Sequence, residues 1–322
     1  MEEAAAAVGR AAASNRILGG LRFNELRGVS GGIRQETPEV NLPMAHSYTK
    51  ESLCAGMLEE ARSVAKYMRE KVRPRLNGVL SPTDRVVLAT GIFLRSLCWM
   101  ETLSRLDRVQ DFQAVSVGTR FLLEGCVDLV LINHDEYGNL TAKMSDWVSS
   151  AKFKMSQELV KFYKARNESV PEQHEPLKFF YEANKSSISS LRSKHWSGKH
   201  PQRWTNRPLL SDCQAADLLE PIRVRAELGM SLVAFHETEI HRLNWLVHGS
   251  GIAILKNAPE PWYFNTCALG FAWSSDLAVL ISALTMKTLR LDEVAEGMDS
   301  ERSHLRDDRH AALFEQLKNG TV

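Results

Sequence analysis

The stretch AVSVGTRFLLEGCVDLVLI, residues 114–132, decides the fold. Apolar residues lie on nearly every side of this segment when it is drawn as an α-helix, at about 100° per residue. Such a pattern predicts a helix at the centre of the protein. Nowhere does the chain alternate Val, Ile, Thr and Tyr with hairpin turns, so no β-sheet is expected. The sequence therefore predicts an all-α fold built around this helix.

Apolar residues recur at helical spacing on both sides of this segment. Ser81-Pro82-Thr83-Asp84 is typical of a helix start with Ser81 as the N-cap, and Ser211 to Gln214 has the form of a capping box. We predict one multi-helix bundle domain over 46–292, a flexible N-terminal arm over 1–45, and a charged C-terminal helix or tail over 293–322. The expected helices cover about 48–72, 81–109, 112–132, 142–166, 176–193, 212–229, 231–248, 262–290 and 301–318.

The composition is that of an ordinary globular protein, with 44% hydrophobic and 25% charged residues in 322. Forty basic and thirty-nine acidic residues leave a net charge of +1, so nucleic acid or anionic lipid would need a local patch. The five cysteines form no CxxC pair and indicate reduced thiols of a cytoplasmic protein. Because Asp276 interrupts the apolar stretch 268–286, we expect a buried helix there and no membrane association.

Nucleotide-binding and hydrolase motifs are missing from the chain. It contains no GxxxxGK[ST], no GxGxxG after a strand and no GxSxG, so neither a cofactor nor one of those enzyme classes is predicted.

The central helix carries one narrow polar stripe. Arg120, Glu124 and Asp128 follow one another at four-residue steps in an otherwise apolar cylinder, and charges in that setting must be paired. Two interpretations remain open. The stripe is either a buried ion pair that fixes helix register or the wall of a polar pocket.

A second polar stripe lies on the sequence FHETEIHRLNWLVHGSG, residues 235–251. Glu237, His241, Asn244 and His248 are separated by steps of four, three and four, so all of them face one neighbour on an α-helix. The glycines after His248 place this imidazole at a helix C-terminus, where carbonyl dipoles favour its protonated form. We expect the two stripes to face each other in one pocket.

His236-Glu237 does not complete a zinc-protease motif. The next histidine is His241, and five α-helical steps turn it about 140° away from His236. Carboxylates and histidines of the two stripes could hold a metal, but histidines satisfied by neighbouring side chains are the more common arrangement. We therefore predict no metal.

The loop SKHWSGKHPQRWTNRP, residues 193–208, interleaves cations with two indole rings. Cations beside aromatic faces suit a single-stranded nucleic acid or a phosphate ligand. The alternative is a loop held to the core by its tryptophans. The residues predicted to contact nucleic acid are Lys194, Trp196, Lys199, Arg203 and Trp204.

The chain resembles a family of uncharacterised bacterial all-helical proteins over roughly 85–290. The resemblance rests on Arg120 and Glu124 in an apolar helix, on His-Trp-Ser-Gly at 195–198, and on His-Gly-Ser at 248–250. It implies an all-helical fold and marks these polar positions, and it brings no reaction with it.

A more distant similarity is to the HEPN superfamily, which includes metal-independent RNases of toxin and phage-defence systems. Its motif, an arginine followed four to six residues later by a histidine, matches Arg242 and His248. In an RNase of this class we expect His248 to act as general acid or base, Arg242 or Arg120 to stabilise the phosphate charge, and three further side chains to orient them: Glu124, Glu237 and Asn244. Two classes stay open: an RNase of this kind, and a non-catalytic, homodimeric binding or regulatory module.

Overall fold

The computed structural model describes residues 49–77, 83–107, 111–241, 243 and 260–291, and the regular structure in them is entirely helical. The predicted all-α fold is confirmed. The arm predicted over 1–45 and the helix predicted over 301–318 lie outside the described residues.

The helices differ in length from one turn to 29 residues, and two segments have π-helical hydrogen bonding. One π-segment, Met68–Val72, joins the first two helices, and the other, His236–Ile240, directly follows the tenth. In chain order the α-helices are α1 (Lys50–Tyr67), α2 (Arg73–Leu76), α3 (Asp84–Leu103), α4 (Phe112–Asn133), α5 (Asn139–Ala165), α6 (Glu175–Ala183), α7 (Lys185–Trp196), α8 (Leu209–Leu219), α9 (Pro221–Leu228), α10 (Leu232–Phe235) and α11 (Glu260–Thr288).

Helices α4 and α11 form the centre of the core, and α1 and α3 pack against them. The Thr119 hydroxyl on α4 lies 2.9 Å from the Ser274 hydroxyl on α11 and 3.2 Å from the Gly270 carbonyl oxygen. A Cβ atom at Gly270 would lie 2.3 Å from Cγ1 of Val115. The glycine therefore permits the close approach of the two central helices.

Within the described part of the chain, two helices, Asp84–Leu103 and Thr266–Thr288, are long and apolar enough to span a bilayer by length and composition. In the second, 83% of the most apolar window is buried inside the protein, against 39% in the first. The apolar stretch 268–286 is thus a buried helix, as its sequence predicts.

Helix α3 begins at Thr83, whose Oγ1 accepts a hydrogen bond from the Val86 N–H at 3.4 Å. The sequence assigned the cap to Ser81, which lies outside the described residues. Threonine in this position satisfies one of the free N–H groups of the first turn.

Two long predicted helices are each divided in two. The helix expected over 212–229 breaks at Glu220, because Pro221 lacks an N–H and disfavours helical geometry in the residue before it. The helix expected over 176–193 breaks at Asn184, which has φ −112° and ψ 10° and separates α6 from α7.

The capping box predicted at Ser211 to Gln214 is wrong. Helix α8 already begins at Leu209, after the extended residue Pro208, so Ser211 lies inside the first turn. The Asp212 carboxylate next to it accepts side-chain hydrogen bonds from the preceding loop.

Candidate functional site

The polar stripe of α4 divides between two environments. The Arg120 Nε donates to Glu124 Oε1 at 3.1 Å, and these two side chains are 38% and 28% exposed. One turn further on, Asp128 Oδ1 accepts from Arg203 Nη2 at 2.7 Å and from Trp204 Nε1 at 2.8 Å. The first pair therefore borders solvent, whereas Asp128 binds the loop 197–208.

Arg203 is the centre of the buried part of the site. Its Nε donates to Asp212 Oδ2 at 3.0 Å, and its Nη1 lies 3.8 Å from Glu124 Oε2. Asp212 is completely buried and is further held by the Thr205 hydroxyl at 2.7 Å and by Arg207 Nη2 at 2.9 Å. One guanidinium thus links α4, the loop and α8, and we call Arg203, Asp128 and Asp212 the Arg203 network.

Burial and charge act against each other in the Arg203 network. Burial raises the pKa of Asp128 to about 6, although Arg203 and the Trp204 indole favour its charged form. Burial disfavours the charged guanidinium, but Asp128 and Asp212 outweigh this effect and raise the pKa of Arg203. The raised pKa of Arg203 keeps its guanidinium charged between the carboxyl groups of Asp128 and Asp212.

The end of α7 and the loop 197–208 after it pack against the protein through aromatic residues. Trp196 and Trp204 are 4% and 2% exposed, and the Trp196 Nε1 donates to the Trp204 carbonyl oxygen at 2.9 Å. His200 stacks on Trp147, with ring centroids 5.8 Å apart, and its Nδ1 lies 2.9 Å from the Ser150 hydroxyl. The structure favours the interpretation of a loop held to the core by its tryptophans.

This packing corrects one part of the predicted nucleic-acid contact. Neither Trp196 nor Trp204 offers a face on which a base could stack, because both rings are buried. Arg203 directs its guanidinium at carboxylates inside the protein. Lys194 and Lys199 are exposed, and a contact through these two lysines stays a prediction.

The second stripe begins in the π-helical segment His236–Ile240. Glu237 and His241 are exposed, and His236, which was not among the predicted site residues, is half-buried. A π-helix needs more than four residues per turn, so it brings together side chains five residues apart. The ring centroids of His236 and His241 lie 6.1 Å apart, and the 140° separation expected on an α-helix is wrong.

His236 connects the two stripes electrostatically. Burial lowers its pKa, and the neighbouring His241 and Arg120 lower it further, whereas Glu237 acts in the opposite direction. Its Nδ1 is buried and has no hydrogen-bond partner within the part of the chain that the structure describes. The Arg120 guanidinium on α4 is the smallest of these influences on His236.

Arg242, Asn244 and His248 lie outside the described residues. A single pocket that contains both complete stripes consequently stays a prediction, as do the catalytic roles of Arg242 and His248. Among the described residues, no three His, Cys, Asp or Glu side chains are grouped so that they could hold a metal ion.

Comparison with family models, with curated proteins and with solved structures finds no match to the chain.

Proposed function

We propose that this chain is a non-catalytic helical binding module, active as a homodimer, in which the Arg203 network is structural. The proposal rests on Arg203, whose N–H donors already have acceptors inside the protein. Its guanidinium faces the carboxylates of Asp128 and Asp212 and is only 15% exposed. A group that stabilises charge on a substrate needs hydrogen-bond donors aimed at that substrate. The donors of Arg203 are instead directed at carboxylates of the protein itself.

The open part of the site is the surface on which a ligand would bind. Arg120 and Glu124 border solvent, and the charge of Arg120 acts on His236, which contacts His241 on the π-segment. Guanidinium and imidazole groups suit a phosphate group, because both kinds of side chain donate hydrogen bonds to oxygen anions. Single-stranded RNA is the ligand class that we propose to test first.

Binding is best measured by fluorescence anisotropy of a labelled RNA oligonucleotide. We expect Arg120→Ala to weaken binding at least fivefold, while Arg225→Ala, an exposed arginine on α9, serves as the matched control. If both variants bind the RNA equally well, Arg120 is not part of the binding surface. Light scattering of the purified chain tests the homodimer, and a monomer at micromolar concentration contradicts it.

His236 favours a second candidate function, a HEPN-like metal-independent RNase. A half-buried imidazole whose pKa is lowered, and whose Nδ1 has no partner among the described residues, has the properties of a general base. In this alternative His248 is the general acid or base, and Arg242 stabilises the phosphate charge, as the resemblance implies.

One experiment separates the two functions. Wild-type protein and the variants His248→Ala, Arg242→Ala and His236→Ala are incubated with a mixed RNA pool, with and without EDTA, and melted in the same buffer. If RNA is cleaved in the presence of EDTA, and the variants lose this cleavage at unchanged melting temperature, the binding-module proposal is wrong and the RNase is supported. No cleavage by the wild type, with a lower melting temperature for His248→Ala, supports the module.

A further inference from the structure

Helix α5 has a line of large apolar side chains on its exposed side. Val148, Met155 and Phe162 are 51%, 54% and 53% exposed. They are seven residues apart, and seven α-helical steps return to within about 20° of the same direction. We call these three side chains the α5 stripe. Large apolar groups aligned on a surface commonly mark a binding site.

The surroundings of the α5 stripe are basic. Between Val148 and residue 166 the chain has five basic residues and one acidic residue, Glu158. All six side chains are exposed. Glu158 accepts a hydrogen bond from the Lys161 ammonium at 3.0 Å, and Arg166 Nε donates to Glu168 Oε1, just beyond this range, at 3.0 Å. The five basic residues are Lys152, Lys154, Lys161, Lys164 and Arg166. A segment that covers this surface should combine apolar residues with acidic ones.

We infer that the α5 stripe binds the C-terminal segment of the same chain, residues 292–318. Residues 292–301 contain five acidic residues and no basic one. The helix predicted over 301–318 repeats apolar residues at Leu305, Ala312 and Leu313, seven and eight residues apart. The predicted helix itself has four acidic and four basic residues, but the segment 292–318 as a whole has eight acidic and four basic ones. Its net charge is therefore opposite to that around the α5 stripe, and the spacing of its apolar residues is similar.

The described chain ends close to the start of α5. Leu289 and Arg290 line the same cavity as Gly138, Thr141 and Ala142, at the N-terminal end of that helix. The α5 stripe begins at Val148, about 15 Å further along the helix axis. Nine extended residues, 292–300, span up to about 30 Å, which is enough to cover this distance. A helix of eighteen residues is about 27 Å long, against about 21 Å for the α5 stripe.

The size of the α5 stripe favours a tethered segment over a separate partner. Three half-exposed side chains offer on the order of 300 Å² of surface, well below the roughly 800 Å² per partner that stable complexes bury. A short tether raises the effective concentration of the bound segment to about the millimolar range, so a weak contact is enough to keep it in place.

The test is carbodiimide cross-linking of the full-length protein, which joins an ammonium to a carboxylate without a spacer. An equal mixture of ¹⁴N- and ¹⁵N-labelled protein distinguishes links within one chain from links between chains in the mass spectrum. We expect Lys154 and Lys161 to be linked to carboxylates of residues 292–308 within one chain. The double variant Met155→Glu with Phe162→Glu should reduce these links at least fivefold.

The matched control is Phe179→Glu, because Phe179 is 73% exposed and lies on α6. This variant should keep the links, and circular dichroism should show equal helix content in all three proteins. Links between differently labelled chains would overturn the inference in favour of a second copy. Absence of links in the wild type would also overturn it, and binding of that protein to phosphatidylserine vesicles would then identify a lipid surface as the occupant.

Discussion

Replacing Arg203 with Ala tests whether the Arg203 network is structural. The change removes the cation between Asp128 and Asp212 and leaves two carboxylates inside the protein, one of them completely buried. Breaking a buried ion pair by removal of one partner costs about 3 to 5 kcal/mol. Asp128 keeps the Trp204 donor, and Asp212 keeps Thr205, so we expect a loss near the lower end, about 3 kcal/mol at pH 7.5.

The assay is urea unfolding followed by far-ultraviolet circular dichroism. Arg207→Ala is the matched control, because Arg207 is 45% exposed and contacts only Asp212 Oδ1 in this network. Because Arg207 is half-exposed and Asp212 keeps Arg203 and Thr205 in this variant, the loss should be at most about 1 kcal/mol. Arg203→Ala combined with Asp128→Asn and Asp212→Asn should recover part of the lost stability, since the unpaired charges are then absent. A loss below about 1 kcal/mol for Arg203→Ala, or one equal to that of Arg207→Ala, would refute a structural role for the network.

Three further changes test the fold and its pH dependence. The folded-state pKa of Asp128, about 6, lies above its unfolded value, so the folded protein binds this proton more tightly than the unfolded chain does. The stability gained from that proton is complete below about pH 4 and is lost as the pH rises through 6. The difference in unfolding free energy between wild type and Asp128→Asn should therefore fall by about 2 kcal/mol from pH 4.5 to 7.5 in urea titrations, and a constant difference contradicts the raised pKa. Gly270→Ala should lower stability by about 1 to 3 kcal/mol, because the new Cβ would overlap Val115. Gly91 lies in an exposed helical position with open space around it, so Gly91→Ala should raise stability by about 0.5 to 1 kcal/mol. The melting temperatures of the two variants should therefore shift in opposite directions. Shifts in the same direction would contradict the packing described for α4 and α11.

The all-α fold and the central position of α4 could be predicted because both depend on local patterns. The nineteen residues 114–132 contain the apolar periodicity and the polar stripe in one segment, so no knowledge of distant residues was required. The need for partners along the stripe was predictable for the same reason, since buried charges are paired. Asp128 does have such a partner, Arg203.

The identity of that partner could not be predicted, because Arg203 is 75 residues away from Asp128 along the chain. The composition of the loop 193–208 drew attention to Arg203 and Trp204, but composition alone does not distinguish a ring that faces solvent from one that faces the core. His236 was missed for a different reason. A helical wheel assumes 100° per residue, and this value does not hold in the segment His236–Ile240.

The π-segment has a consequence for how the sequence around it can change. Relative to an α-helix, a π-turn accommodates one additional residue, so it is equivalent to a single-residue insertion. A return of 236–240 to α-helical hydrogen bonding without loss of a residue would rotate His241 and Leu243 by about 100° with respect to α10, whereas deleting one residue would restore the α-helix and leave their direction unchanged. The direction in which His241 and Leu243 point is therefore set by one peptide unit, and a substitution that removes the π-turn would redirect both of them even if every polar side chain were kept.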